Sequence, residues 1–216
     1  MTTEKSVSLQ TLQRLPLYLE YLKSHADAQN ISARALADAL SLGEIQVRKD
    51  LASVCDSGRP KTGFDRAALV ADIEAFLGVE DVNDAILVGA GRLGQALMGY
   101  EGFRRYGLSI VAAFDSDARA QGEHNGRPVF PMEKLPGLVN RLGVRIGVIT
   151  TPAANAQQVC DLMTANGILA IWNFAPTRLK APDGVLIQNE NMAASLALLR
   201  RHLQDALQEA DRRTEQ

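Results

Sequence analysis

The chain has 216 residues, 46% of them hydrophobic, and 23 Lys and Arg against 25 Asp and Glu give a formal net charge of -2. That length holds one large domain, or a small one beside a medium one, with ample apolar side chains for a packed core. The charge gives no overall attraction to nucleic acid, so any such contact needs a local basic patch; no apolar run approaches membrane-spanning length and residues 1–5 lack a signal-peptide pattern, so a cytoplasmic protein with no membrane partner is expected.

Leu9, Leu12, Leu17, Leu19, Tyr21 and Leu22 predict a helical start running to about His25, with Pro16 tolerated in the first turn of that helix. Residues 27–30 make a polar break, after which Ser32 serves as N-cap for a helix over 33–40 with Leu36 and Leu40 on one face. Ser41, Leu42 and Gly43 form a short turn. A second helix over 44–51 is anchored by Ile45, Val47 and Leu51 and presents Gln46, Arg48 and Lys49 outward. Two short helices joined by a glycine-containing turn fit a helix-turn-helix, whose second helix reads the major groove, and fit an ordinary helical hairpin equally well.

The next segment shifts that balance. Residues 58–63, Gly-Arg-Pro-Lys-Thr-Gly, are basic and turn-rich and have the size of a hairpin wing. Asp65 then caps a helix bearing Leu69, Val70, Ile73, Phe76 and Leu77, which Gly78 stops. This order is that of a winged helix, and Arg48, Lys49, Arg59 and Lys61 would supply the local positive charge that the whole chain lacks. Residues 79–84 are polar and acidic, and a domain boundary is expected there.

Ala85-Ile86-Leu87-Val88 reads as a strand covered on both faces of a parallel sheet, and it runs into Gly89-Ala90-Gly91-Arg92-Leu93-Gly94, a G-x-G-x-x-G turn that opens a helix. The first glycine permits the tight turn, the second lets the backbone approach a pyrophosphate, and the third lets helix and strand lie close. A second strand over 109–114 ends at Asp115, about 20 residues beyond the turn, where a ribose-binding acid is expected. Its carboxylate would accept both hydroxyls of an unphosphorylated ribose and repel a 2'-phosphate. The glycines alone are weak evidence; strand, helix and terminal acid together favour a dinucleotide, with coenzyme A as the competitor on the same fold.

Beyond it, strands at 128–130, 145–150, 168–174 and 185–187 alternate with helices at 132–142 and 153–166, the pattern of a doubly wound parallel sheet with right-handed crossovers. From Asn191 onward Met192, Leu196, Leu199, Leu203, Leu207 and Ala210 recur at helical spacing. Such a helix either packs on its own sheet or is exchanged between subunits. Cys55 and Cys160 form no disulfide framework, and His25, His124 and His202 have no ligand spacing, so no metal site is expected.

Together these residues resemble the Rex family of bacterial redox-sensing transcriptional repressors over nearly the whole chain. The specific pieces are Arg14-Leu15-Pro16-Leu17-Tyr18, Val47-Arg48-Lys49-Asp50-Leu51, Leu87 to Gly94, Ala112-Ala113-Phe114-Asp115, and Asn173-Phe174-Ala175-Pro176. The resemblance implies an α/β homodimer: a winged helix-turn-helix domain over 1–80, a Rossmann-like dinucleotide domain over 85–190, and a C-terminal dimerisation helix over 191–216. It further implies a repressor rather than an enzyme, released from inverted-repeat operator DNA by NADH while NAD+ competes. Gly89, Ala90, Gly91, Arg92, Leu93, Gly94, Asp115, Thr150, Thr151, Pro152 and Asn173 are the candidate cofactor residues, with Tyr100 and Phe174 matching the family's nicotinamide side. Ser32, Gln46, Arg48, Lys49, Arg59 and Lys61 are the candidate DNA contacts. Two departures stand out: the wing segment 55–64 lacks the family's Gly-Tyr, and Asn191 replaces an acid that pairs, as an interdomain latch, with the arginine matching Arg14. An NAD-dependent dehydrogenase and a coenzyme A module are the alternatives; for the former the chain lacks a substrate domain and a histidine near the nicotinamide-side motifs.

Overall fold

The computed structural model describes residues 7–55, 63–79 and 83–214. The chain forms two compact units, Met1–Val82 with Arg105–Gly107, and Asn83–Arg104 with Leu108–Gln216.

The first unit opens on α1 (Leu9–Ser24), capped by the Ser8 hydroxyl, which accepts the Thr11 N–H at 3.1 Å. Pro16 sits in the middle of this single helix and not in its first turn. It therefore forfeits the ladder bond to the Leu12 carbonyl. Burial offsets that loss: Leu15, Tyr18, Leu19 and Leu22 are almost wholly buried, and each leucine removed from water contributes about 2 kcal/mol. After β1 (Asn30–Ile31), α2 (Ala33–Leu40) starts at Ser32, whose hydroxyl accepts the Ala35 N–H at 3.0 Å. The turn to α3 (Glu44–Val54) places Ser41 in the left-handed region at φ 55. Helix α3 buries Val47, Asp50 and Leu51 but leaves Ile45, expected as an anchor, 71% exposed. Two residues along a helix is more than half a turn, so Ile45 and Val47 cannot share a face. Then β2 (Phe64–Asp65) pairs antiparallel with β1, and α4 (Arg66–Leu77) begins where the Asp65 carboxylate accepts the Ala68 N–H at 2.8 Å. The expected wing residues Arg59 and Lys61 lie outside the described residues.

The second unit is a seven-stranded sheet flanked by helices. Its elements run β3 (Asn83–Val88), α5 (Arg92–Met98), β4 (Leu108–Asp115), β5 (Gly122–His124), β6 (Arg127–Pro131), α6 (Leu135–Leu142), β7 (Ile146–Ile149), α7 (Ala153–Ala165), β8 (Ala170–Asn173), β9 (Leu186–Asn189) and α8 (Met192–Thr214). The strand order is β5-β6-β4-β3-β7-β8-β9, parallel throughout except for β5 on β6. Side chains along β3 alternate between two cores: Ile86 and Val88 pack with Phe114 and Ile149, while Ala85 and Leu87 pack with Met98 and Val148. Both faces are therefore covered, which is why β3 reads as a continuous apolar run. The chain starts at β3, fills one side with β4 and β6, and returns to fill the other with β7, β8 and β9. That reversal is a topological switch point, and it opens a crevice at the carboxyl ends of β3, β4 and β7. Along α8, Met192, Leu196, Leu199, Leu203 and Leu207 are each more than half exposed.

Candidate functional site

At the end of β3, Gly89 adopts φ 104, a conformation that disfavours any side chain. An added Cβ would lie 2.9 Å from the backbone of Thr150 and Thr151, so the turn is pressed against the end of β7. One turn into α5, a Cβ on Gly94 would come within 2.0 Å of the Gly89 carbonyl oxygen. The Thr150 hydroxyl closes the arrangement by donating to that same carbonyl at 2.6 Å. The glycine spacing is thus required by backbone packing, and it leaves a turn that a phosphate can approach.

Asp115 lies at the end of β4, beside this turn. One carboxylate oxygen accepts the Ala90 N–H at 2.7 Å and the other accepts the Asp117 N–H at 2.9 Å. Each oxygen keeps a second lone-pair direction for a ligand hydroxyl. Turn and carboxylate border a cleft of about 710 Å³, within the range of small-ligand sites. Gly89, Gly91, Leu93, Asp115, Thr150, Thr151, Pro152 and Phe174 all line it. Among the described residues, Asp115 is the one ionisable side chain on that lining. The Thr151 hydroxyl is buried and is the one such side-chain atom among the described residues with no hydrogen-bond partner.

Five expected contacts stand elsewhere. Ala90 and Gly94 are buried and act through backbone packing, and Arg92 projects from the exposed side of α5. Asn173 is fully buried; its amide donates to the carbonyl of Thr177 at 2.8 Å and to Asn189 Oδ1 at 2.9 Å, and its oxygen accepts the Ala175 N–H at 3.0 Å. It shapes the loop that carries Phe174. Tyr100 lies beyond the end of α5, is 59% exposed, and packs edge-on against Phe103 instead of lining the cleft.

Asn155, Gln158, Val159 and Leu162 of α7 line the cleft and were not anticipated. Their i, i+3, i+4, i+7 spacing marks one helical face, a signal that was present in the sequence. Ser116 and Pro176 also contribute from loops, and Met132 from a single 3-10 turn, segments too short to carry a periodicity.

In the first unit, Gln46, Arg48 and Lys49 are exposed on α3, while Ser32 is occupied as a helix cap. Arg48 pairs with Glu44 one turn before it, and Gln46 donates to Asp50 at 2.9 Å. Asp50, 1% exposed, also accepts from Thr11 at 3.0 Å, Tyr18 at 2.7 Å, and Arg14 through Nε at 2.7 Å and a terminal nitrogen at 3.0 Å. Burial pushes this carboxyl up, but the bonds from Arg14, Tyr18, Gln46 and Thr11 outweigh it and hold the group down at about 2. Burial and the same carboxylate push the Tyr18 phenol up to about 12. The Arg14 guanidinium is thus committed to Asp50, and the Asn191 side chain caps α8 by accepting the Ala194 N–H at 2.9 Å.

A compact helical unit with a helix-turn-helix and a two-stranded sheet, followed by a Rossmann-like unit with a glycine-lined cleft, defines the class: a DNA-binding regulator carrying a nucleotide-type sensor domain. A model described as a putative DNA-binding protein N-terminus matches residues 6–52, and one described as a CoA binding domain matches residues 81–177. The redox-sensing transcriptional repressor Rex of Treponema denticola is 40% identical over 92% of this chain and 96% of its own, and that of Porphyromonas gingivalis is 41% identical over 88% of each. A crystal structure of RSP, in complex with beta-NAD+ and operator DNA, superposes with a TM-score of 0.87 at 30% identity over 98% of this chain and 99% of that one. RSP in complex with beta-NADH gives 0.85 at 30% identity, over 95% and 98%. The chain belongs to the Rex family of redox-sensing transcriptional repressors.

Proposed function

We propose that this chain is a cytoplasmic, homodimeric repressor that binds inverted-repeat operator DNA and is released when its cleft takes up NADH. The observation that carries the reading is Asp115, fixed by two backbone N–H groups at the end of β4 on a cleft that the glycine turn also lines. The residues present fit a dinucleotide: the turn is open at Gly91, where an added Cβ would meet nothing within 4 Å, and the Thr151 hydroxyl lacks a protein partner. Gly89 and Gly91 would hold the pyrophosphate, Asp115 the adenosine ribose, and Thr150, Thr151, Pro152 and Phe174 the other half.

Redox discrimination follows from charge. Among the described residues, the far end of the lining, around Phe174 and Pro176, carries no anionic side chain to offset a positive nicotinamide ring. Desolvating that charge is costly, so the neutral reduced ring is favoured. Release of DNA then requires the cleft to bind NADH better in the DNA-incompetent form than in the competent one. The exposed apolar stripe of α8 supports a second copy as its cover. Exposed Gln46, Arg48 and Lys49 support α3 as the groove-reading helix, with Arg59 and Lys61 as further contacts. The reading is of a sensor and not a catalyst, in keeping with relatives described as redox-sensing transcriptional repressors.

Calorimetric titration with NADH, NADPH and coenzyme A tests the ligand. NADH is expected to bind most tightly, and Asp115→Ala to narrow the gap to NADPH by about tenfold, the worth of one charge-assisted contact. Equal affinity of the parent for NADH and NADPH contradicts the role of Asp115. Tighter binding of coenzyme A than of NADH replaces the ligand.

A further inference from the structure

The wall of the cleft at Phe174 is one end of a longer chain of contacts. The Phe174 ring packs on the indole of Trp172 with centroids 4.7 Å apart, and Trp172 meets Phe103 edge-on at 5.2 Å. On its polar side the indole N–H donates to Glu190 Oε1 at 2.8 Å. Glu190 is anchored in turn, since its own N–H donates to the Asn173 carbonyl at 2.8 Å. Trp172 and Glu190 both stand off the cleft lining, and Glu190 immediately precedes Asn191, the cap of α8. An indole half-buried between two aromatic rings has little freedom to slide. Its one donor, bonded to a carboxylate, fixes what remains, and a bond to an ionised acceptor is stronger than a neutral one.

The sheet order says which part of the ligand this touches. Asp115 ends β4 on one side of β3, so the adenosine half lies there, and the other half crosses toward β7 and β8, where Phe174 follows the last strand residue. We propose that Trp172 and Glu190 are positioning residues for the nicotinamide half of the dinucleotide: Glu190 holds the indole, and the indole holds Phe174 in its place on the cleft wall. This rests on the dinucleotide reading above. Neither residue touches the ligand; both act through Phe174.

The test compares NADH with ADP, which shares the adenosine and pyrophosphate but lacks the other half. Glu190→Ala removes the acceptor and Trp172→Phe removes the donor while keeping a ring. Each is expected to weaken NADH binding about fivefold and to leave ADP within about twofold of the parent. Glu190→Gln keeps an acceptor oxygen and should restore most of the NADH affinity. The double variant should lose no more than either single one, because both break the same bond. Unchanged NADH binding, additive losses, or an equal loss of ADP would each overturn the proposal. A parent that binds ADP but not NADH would instead remove the dinucleotide reading itself, which the parent titration reveals before any variant is made.

Discussion

Asp50 gathers five donor contacts from Thr11, Arg14, Tyr18 and Gln46 in a site that is 1% exposed, and so fastens α3 to α1. Its folded-state value of about 2 lies below the ordinary 3.8, so the carboxylate stabilises the fold above the ordinary value and loses that contribution as the pH falls toward 2. The shift corresponds to about 2 kcal/mol. Asp50→Asn should lower stability at neutral pH by about 3 kcal/mol, because it leaves the Arg14 charge without its partner. In urea denaturation the gap between parent and variant should narrow by about 2 kcal/mol as the pH is taken from about 5 to about 2; a gap independent of pH would show that the hydrogen bonds matter and the charge does not. Thr151 is the opposite case, a buried hydroxyl without a partner. Such a group costs about 1–3 kcal/mol. Thr151→Val should therefore raise the melting temperature of the ligand-free protein by about 2–4 °C while weakening NADH binding. A lower melting temperature would mean that the hydroxyl is partnered within the protein. The sequence marks Thr151 only by position after a strand, since partnership is a property of packing and not of pattern.

At the scale of elements, α3 carries its polar residues outward and its one buried charge inward, and this division sets what each substitution can report. The Arg48 side chain pairs with Glu44 on the exposed face. An exposed pair one turn apart is worth only about 0.5 kcal/mol, so the guanidinium is readily released to a phosphate. Arg48→Ala should weaken operator binding and reduce the slope of log affinity against log salt by about one unit, with NADH binding unchanged. Fluorescence anisotropy across a salt series reads both, and an unchanged slope would remove α3 from the DNA interface. The main helices and parallel strands were legible because their periodicity is long. Two-residue β1 and β2 were not, having no period to read, and the α7 face at Asn155, Gln158, Val159 and Leu162 was visible only to someone asking which side of that helix meets a ligand. Pro16 misled about the start of α1, because a well-buried face can carry a proline through a helix. Tyr100 lies past the last turn of α5, where helical spacing no longer fixes direction.

At the scale of the molecule, the order of the two units follows directly from the sequence: a helix-turn-helix first, a strand and glycine turn after a polar boundary, and an apolar-striped helix last. Fold and cofactor class were readable because the Gly89 and Gly94 positions admit nothing larger and Asp115 must end its strand. How the cleft reports to DNA is not written in any local motif, because it is a difference in affinity between two conformations. The central claim is therefore a claim about a ratio. It is tested by a gel-shift or anisotropy titration of the protein on inverted-repeat operator DNA, with total nucleotide held constant and the NADH to NAD+ ratio varied. The account predicts that bound DNA falls as the NADH share rises and recovers when NAD+ replaces it. DNA binding that follows total nucleotide and ignores the ratio would contradict it.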